Sequence, residues 1–191
     1  FMLWHTGAAR QSDPIRFHTK SGWLVCRRDG EWIEMDFPTV ACTPCPPPPG
    51  LAEALGCRLV ACGSNGMDVL VEVPDETTLR RLTPNHSLIA ALPVRGVIVT
   101  AASDDPRFDF VSRFFAPAAG VNEDPVTGSA HCALGPHWQA KLGRAEFTAF
   151  QASDRGGIVR LEVQGDRVLV RGQAVLVSRV EMLVDERDSR G

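Results

Sequence analysis

The sequence predicts an α+β fold in which strands outnumber helices. Apolar and polar residues alternate with period 2 along much of the chain, and short turns separate the alternating segments. The sequence shows neither the strand–helix alternation of a doubly wound sheet nor a GxGxxG or P-loop motif. A sheet-rich protein with one longer helix in each lobe fits this pattern best.

The first quarter of the sequence predicts a helix end and then an antiparallel meander. Residues 1–6 form the end of an apolar helix that Gly7 stops, so we expect that sequence is missing upstream. Asp29 and Gly30 form a hairpin turn. Four consecutive prolines in residues 42–50 exclude a helix or central strand and predict a stiff spacer between two lobes. Strands are predicted at 15–19, 23–26 and 32–37.

The rest of the chain is predicted to be strand-rich, with a long helix from Ser129 to Leu142. Pro136 lies inside that helix, and it should kink or shorten it because it cannot donate to the Cys132 carbonyl. Short helices are predicted at 51–55, 76–82 and 86–91. Strands are predicted at 58–62, 67–73, 94–101, 108–115, 146–151, 158–164, 167–177 and 179–184.

Composition narrows the classes of partner. The 191 residues carry a net charge of −3 and show no basic stripe, which argues against nucleic acid. No apolar run approaches the roughly 18 residues that span a bilayer, so no membrane partner is expected. Six cysteines are too few for a disulfide scaffold. We therefore expect a cytoplasmic protein.

The segment from Glu123 to Ser129 carries the chemistry. Amides at a helix start lack intrahelical acceptors and bear partial positive charge, and Gly128 lets a ligand approach them, so the segment predicts a cradle for a carboxylate. Pro125 favours an extended Asp124, and an extended backbone sends the adjacent Glu123 and Asp124 to opposite sides, so one can face a cleft while the other meets solvent. A carboxylate held there could transfer protons. The plainer interpretation is that Ser129 or Thr127 only caps the helix and Asp124 is a loop acid.

These residues resemble the signature of the phenazine-biosynthesis (PhzF-like) family. The central match is Ser112-Arg113-Phe114-Phe115-Ala116-Pro117, followed by Glu123-Asp124-Pro125-Val126-Thr127-Gly128-Ser129-Ala130-His131. Supporting matches span most of the chain, at 17–22, 35–38, 70–74, 96–100 and 151–157.

The resemblance implies a diaminopimelate epimerase-like fold, in which two lobes of curled, mostly antiparallel sheet each surround a central helix. It divides the chain into a remainder of the first lobe (1–40, with 179–191 returning to it) and a second lobe (41–178). It also implies a homodimer that isomerises a small carboxylate-bearing metabolite by proton transfer, with no metal or organic cofactor. Asp124 and Ser129 would be catalytic, and Thr127, Gly128 and Ser129 would bind substrate.

The resemblance also identifies a departure from the family pattern. The family's acid–base Glu and its Cys-Gly-His stretch belong to the first lobe and have no counterpart in this sequence, so we expect the chain alone to be inactive.

Three alternatives remain. One is a non-catalytic binding module on the same fold. The second is a zinc or redox site at Cys42 and Cys45, which form a C-x-x-C pair. The third is a thiol racemase using Cys62, although such an enzyme needs two bases and Asp124 occupies the second position.

Overall fold

The computed structural model describes residues 1–19 and 22–181, which form one large mixed sheet and a few helices. The helices are α1 (Met2–His5), α2 (Leu51–Leu55), α3 (Glu76–Arg81), α4 (His86–Ala90) and α5 (Gly128–Leu142), with a 3₁₀ turn at Pro117–Ala119. The strands are β1 (Ile15–Thr19), β2 (Gly22–Asp29), β3 (Trp32–Pro38), β4 (Thr43–Pro44), β5 (Ala61–Ser64), β6 (Asp68–Glu72), β7 (Gly96–Ala102), β8 (Phe110–Phe115), β9 (Glu146–Gln151), β10 (Gly157–Gln164) and β11 (Arg167–Gly172).

The strands follow the order β1-β2-β3-β11-β10-β9-β8-β7-β6-β5-β4 in an 11-stranded sheet. The pairs β6–β7 and β8–β9 are parallel, and the other pairs among the described residues are antiparallel. The predicted α+β class with a curled, mostly antiparallel sheet is confirmed. The two parallel pairs join segments that are distant in sequence, which local patterns do not reveal.

The central strands β6, β7 and β8 are buried on both faces. One face of the sheet packs against α5, and the residues of this core include Leu70, Ile98, Phe110, Phe114, Leu134, Trp138, Leu161 and Val168. The opposite face packs against α2, α3 and α4, and its core includes Leu51, Leu55, Val69, Val71, Leu79, Val97, Val99, Val111 and Phe115. Alternate residues of one strand therefore enter different cores, which explains why these strands are nearly continuous apolar runs.

Several predicted boundaries need correction. Residues 58–60 are not strand, since β5 begins at Ala61. The strand predicted at 167–177 ends at Gly172, where its pairing with Ile33 of β3 also ends. Residues 179–181 are not strand either, and the remainder of the predicted strand 179–184 lies outside the described residues.

Pro136 does not end helix α5, which continues to Leu142. The proline leaves the Cys132 carbonyl without its usual helical donor. That carbonyl instead accepts a hydrogen bond from the Val40 amide at 3.1 Å. The proline therefore creates an attachment point that ties the segment after β3 to the central helix.

The lobe division at residue 40 stays a prediction. Hydrogen bonds between β3 and β11 join residues from both sides of this boundary, including Asp36 with Leu169. No helix among the described residues is both long and apolar enough to cross a bilayer.

Gly96 tests the packing of the core around α5. A Cβ at this position would lie 2.5 Å from Phe114 Cζ and 3.0 Å from the Phe115 carbonyl oxygen. We expect Gly96→Ala to lower the free energy of unfolding by about 1–3 kcal/mol, the usual cost of overpacking. Gly172→Ala is the control, because nothing lies within 4 Å of its added Cβ. Urea unfolding measures both, and equal stability of the two variants would contradict this packing.

Candidate active site

Helix α5 begins without a side-chain cap. Thr127 occupies the N-cap position, but its side chain makes no capping hydrogen bond. The amides of Gly128, Ser129 and Ala130 have no hydrogen-bond acceptor among the described residues. The capping interpretation is therefore wrong for Thr127, and the helix start presents free donors with partial positive charge.

The Asp124 side chain is held beside this helix start. Its Oδ2 accepts a hydrogen bond of 2.6 Å from the Thr127 hydroxyl, and its own amide donates to the Phe114 carbonyl at 3.0 Å. Asp124 Oδ1 has no partner among the residues that the structure describes. One carboxylate oxygen thus fixes the orientation, and the other is available to a ligand.

Gln151 braces the loop between Asp124 and Thr127. Its side chain is fully buried. Oε1 accepts from the Thr127 amide at 2.8 Å, and Nε2 donates to the Asp124 carbonyl at 2.6 Å and to the Thr127 hydroxyl oxygen at 3.1 Å. The first two bonds satisfy buried backbone groups whose burial without a partner would cost free energy. The third occupies a lone pair of the Thr127 hydroxyl oxygen, whose proton is donated to Asp124.

The expectation that one of the two adjacent acids meets solvent is not met by Glu123. Its carboxylate forms a two-point ion pair with Arg113, at 2.7 Å to Nε and 2.8 Å to Nη2. Arg113 is itself buried, and its Nη1 donates to the carbonyls of Leu79 and Leu82. Burial of the arginine demanded a fixed counter-charge, which Glu123 supplies. Glu123 therefore has a structural environment, and Asp124 is the acid that faces the cleft.

Arg95 completes the wall of the cleft. Its Nη2 donates to the Ser129 hydroxyl oxygen at 3.3 Å, and its Nε donates to the buried Asp68 carboxylate at 2.9 Å. The cleft has a volume of about 220 Å³. It is lined by Arg95, Phe114, Ala116, Ala119, Val121, Asp124, Thr127 and Ser129.

The predicted site residues thus come together at one end of α5. Asp124, Thr127 and Ser129 line the small cleft, and Gly128 lies between it and a larger, mainly apolar cavity of about 590 Å³. A Cβ added to Gly128 would make an ordinary van der Waals contact with Phe37 at 3.8 Å, so a small side chain would fit at this position. The roles of these four residues in substrate binding and catalysis stay predictions.

The cysteine alternatives find little support in the geometry. The sulfur atoms of Cys45 and Cys62 lie 4.0 Å apart, so the contact of Cys45 involves a cysteine outside the C-x-x-C pair. Cys62 lies in β5 outside the lining of the cleft, and burial raises the pKa of its thiol to about 12. Within residues 1–19 and 22–181, no three His, Cys, Asp or Glu side chains are placed to hold a metal ion.

Sequence reasoning missed Arg95, Asp68 and Gln151. The sequence did contain an indication for Gln151, because this polar residue lies on the same face of β9 as the buried Phe147 and Ala149. A buried glutamine needs hydrogen-bond partners, and the neighbouring loop had unpaired groups to offer. Asp68 and Arg95 meet only because β6 and β7 are parallel neighbours.

Comparison with solved structures defines the class of protein. A PhzF family protein from Enterococcus faecalis matches with a TM-score of 0.85 and 35% identity, over 93% of this chain and 67% of that one. A putative PhzC/PhzF protein from Clostridium difficile matches with a TM-score of 0.85 and 33% identity, over 95% of this chain and 70% of that one. The fold is thus that of a PhzF-type protein.

The family's sequence profile, described as phenazine biosynthesis-like protein, matches residues 6–180, and the chain belongs to this family. A relative from Halalkalibacterium halodurans is 48% identical over 96% of this chain and 69% of its own length. One from Pseudomonas aeruginosa is 47% identical over 86% of this chain and 62% of its own length. Both relatives are named uncharacterized isomerases, and the chain spans roughly two thirds of each.

Gln151→Met should destabilise the protein by about 2–4 kcal/mol, because it leaves the buried Thr127 amide and Asp124 carbonyl without partners. Gln164→Met is the matched control, since Gln164 is exposed and makes one side-chain hydrogen bond to Glu162. Urea unfolding compares the two variants. An equal, small loss in both would show that the loop does not depend on this amide.

His131 should make stability depend on pH. Burial lowers the pKa of its imidazole to about 4, although its Nδ1 donates to the Thr127 carbonyl at 2.7 Å. The unfolded chain therefore binds the proton more readily, and the contribution to stability is complete above pH 6.5 and falls as the pH drops from 6.5 towards 4. We expect a loss of about 2 kcal/mol between pH 7 and pH 5 from this residue.

Urea unfolding at both pH values measures that loss. In His131→Asn it should disappear, because the amide keeps a donor without a titrating ring. His18→Gln, which removes an exposed histidine, should behave like the wild type. Direct NMR titration of His131 in the unaltered protein gives a second reading, and a ring that protonates near pH 6.5 would contradict the argument.

Proposed function

We propose that this chain forms one wall of the active site of a proton-transfer isomerase acting on a small carboxylate-bearing metabolite. The observation that carries the proposal is the uncapped start of α5 beside a carboxylate with one free oxygen. Free amides attract an anion, and the free oxygen of Asp124 can exchange a proton with it. The isomerase names of the relatives from Halalkalibacterium halodurans and Pseudomonas aeruginosa support the same reaction class.

The substrate carboxylate would bind at the amides of Gly128, Ser129 and Ala130. Their orientation along the helix axis adds to the dipole, so the charge is met without a mobile side chain. Gly128 lines the larger cavity and carries no side chain that would block the close approach such binding requires. The Ser129 hydroxyl oxygen accepts from Arg95, which leaves its own proton free to be donated to the ligand.

Asp124 would move the proton. In the proposed step, Oδ1 takes a proton from the carbon next to the bound carboxylate, and the electron pair left on that carbon spreads into the carboxylate. The amides at the helix start then stabilise the increased negative charge on the carboxylate oxygens, which is where preorganised donors lower a barrier most. Returning the proton to a different position or face completes the isomerisation. The abstraction of the proton uses Asp124 and the amides of this chain, with no metal or organic cofactor, whereas its return needs a second proton carrier.

The small cleft contains Asp124 as its single carboxylate among the described residues. A two-base isomerisation needs a second proton carrier, so we propose that the chain alone binds the ligand but does not turn it over. Cys62 is a poor second base here, because its thiol lies outside the cleft and its raised pKa keeps it protonated near neutral pH. The homodimer, the cytoplasmic location and a role in phenazine biosynthesis stay predictions.

Deuterium incorporation in D₂O tests the proposed function. The chain is joined to the part of the Halalkalibacterium halodurans relative that it does not match, and this chimera is incubated with a panel of small carboxylates. We expect deuterium to enter carbon-bound positions of at least one compound, as read by mass spectrometry. Asp124→Asn should slow this exchange by about 10²–10⁴-fold, the usual contribution of a general acid–base.

Asp166→Asn is the control, because this exposed acid lies in the turn between β10 and β11. It should exchange deuterium at the rate of the unaltered chimera. Isomerisation of a compound by the isolated 191-residue chain would refute its proposed incompleteness. A folded chimera that binds carboxylates but incorporates no deuterium would count against the isomerase and favour a binding module.

A further inference from the structure

The structure assigns Arg95 as a second anion-binding group of this cleft, with Asp68 as the residue that positions it. The inference rests on the proposed function, because it concerns the same carboxylate site. It goes further by naming a charged side chain that meets the ligand together with the backbone amides.

The guanidinium of Arg95 is fixed before any ligand arrives. Both oxygens of Asp68 accept from it, and the Asp68 side chain is only 1% exposed. This pairing fixes the plane of the guanidinium group, since two hydrogen bonds to a carboxylate restrain an arginine far more than one does. The ring of Phe114 lies beneath the guanidinium at 5.8 Å and supports it from the side of the core.

Arg95 keeps donors that the protein does not use. No described residue accepts a hydrogen bond from its Nη1, and its side chain is 39% exposed at the edge of the cleft. Arg113 provides the contrast, because it is 10% exposed and gives all three nitrogens to Glu123 and backbone carbonyls. Arg113 has the environment of a structural arginine, whereas Arg95 has that of a ligand-binding one.

The charge of Asp124 explains why a second cation is needed. A carboxylate ligand brought into the cleft meets another carboxylate there, and the two repel at close range. The helix start offers only about half a positive charge. Arg95 adds a cation on the same wall, next to Ser129, and its unused donors can offset part of this repulsion even though the guanidinium is paired with Asp68.

Titration of amide resonances with sodium acetate tests this assignment on the 191-residue chain. Proton–nitrogen correlation spectra are recorded at constant ionic strength with sodium chloride as the balancing salt. In the wild type we expect the Gly128, Ser129 and Ala130 amides to shift as acetate binds. Arg95→Met should weaken that binding by about tenfold or more, as expected for loss of a charged hydrogen bond.

Three variants distinguish the effect of the Arg95 charge from the effect of its two-point hydrogen bonding and from loss of folding. Arg95→Lys keeps the charge without the two-point pair and should fall between the wild type and Arg95→Met. Arg107→Met is the matched control, because Arg107 pairs with Asp105 on an exposed loop outside the cleft and its loss should leave acetate binding unchanged. The spectra themselves show whether each variant is folded. If Arg95→Met does not fold, the comparison of Arg95→Lys with the wild type still tests the assignment.

Two outcomes would overturn the inference in different ways. If the three amides shift with acetate and the affinity is equal in the wild type and both Arg95 variants, Arg95 is not an anion contact and the proposed function stands. If the amides do not respond to acetate even in the wild type, the carboxylate site itself fails, and the proposed function fails with it.

Discussion

The unpaired amides at the start of α5 are the constraint on which the rest of the site depends. A helix start with free donors is unstable unless something else satisfies them, and here the nearest candidate, the Thr127 hydroxyl, is turned away. Gln151 and Asp124 together hold it there, one by donating to its oxygen and the other by accepting its proton. The buried Gln151 therefore helps to keep the amides of the helix start available for a ligand.

The central helix is also where the sheet and the segment after β3 are joined. Pro136 leaves the Cys132 carbonyl without a helical donor, and the Val40 amide donates a hydrogen bond to it instead. The proline removes one hydrogen bond from the helix, and the carbonyl that it leaves unpaired contacts a distant part of the chain. Phe37, at the end of β3, lies near Gly128, so the position of this segment also determines how much space remains above the helix start.

The sequence was sufficient for the class of fold, for most of the strands and for the helix that carries the site. These features depend on local patterns: period-2 alternation, turn residues, and a Thr-Gly-Ser stretch before an apolar helix. Parallel pairing of β6 with β7 is not local, so the meeting of Asp68 with Arg95 could not be predicted. The Glu123–Arg113 pair was missed for a similar reason, since alternation fixes the side of the backbone but not the partner found there.

No histidine adds a pH-dependent positive charge to the start of α5, because the nearby His131 is buried and neutral. The imidazole lies one turn beyond Thr127 and donates to its carbonyl, so a proton on this ring would add charge close to the anion site. Burial in the core beside Phe110 lowers its pKa to about 4 and keeps it neutral. What remains is backbone amides and a guanidinium, which hold their charge across the physiological range. The donors of the anion site therefore stay available to a ligand across that range.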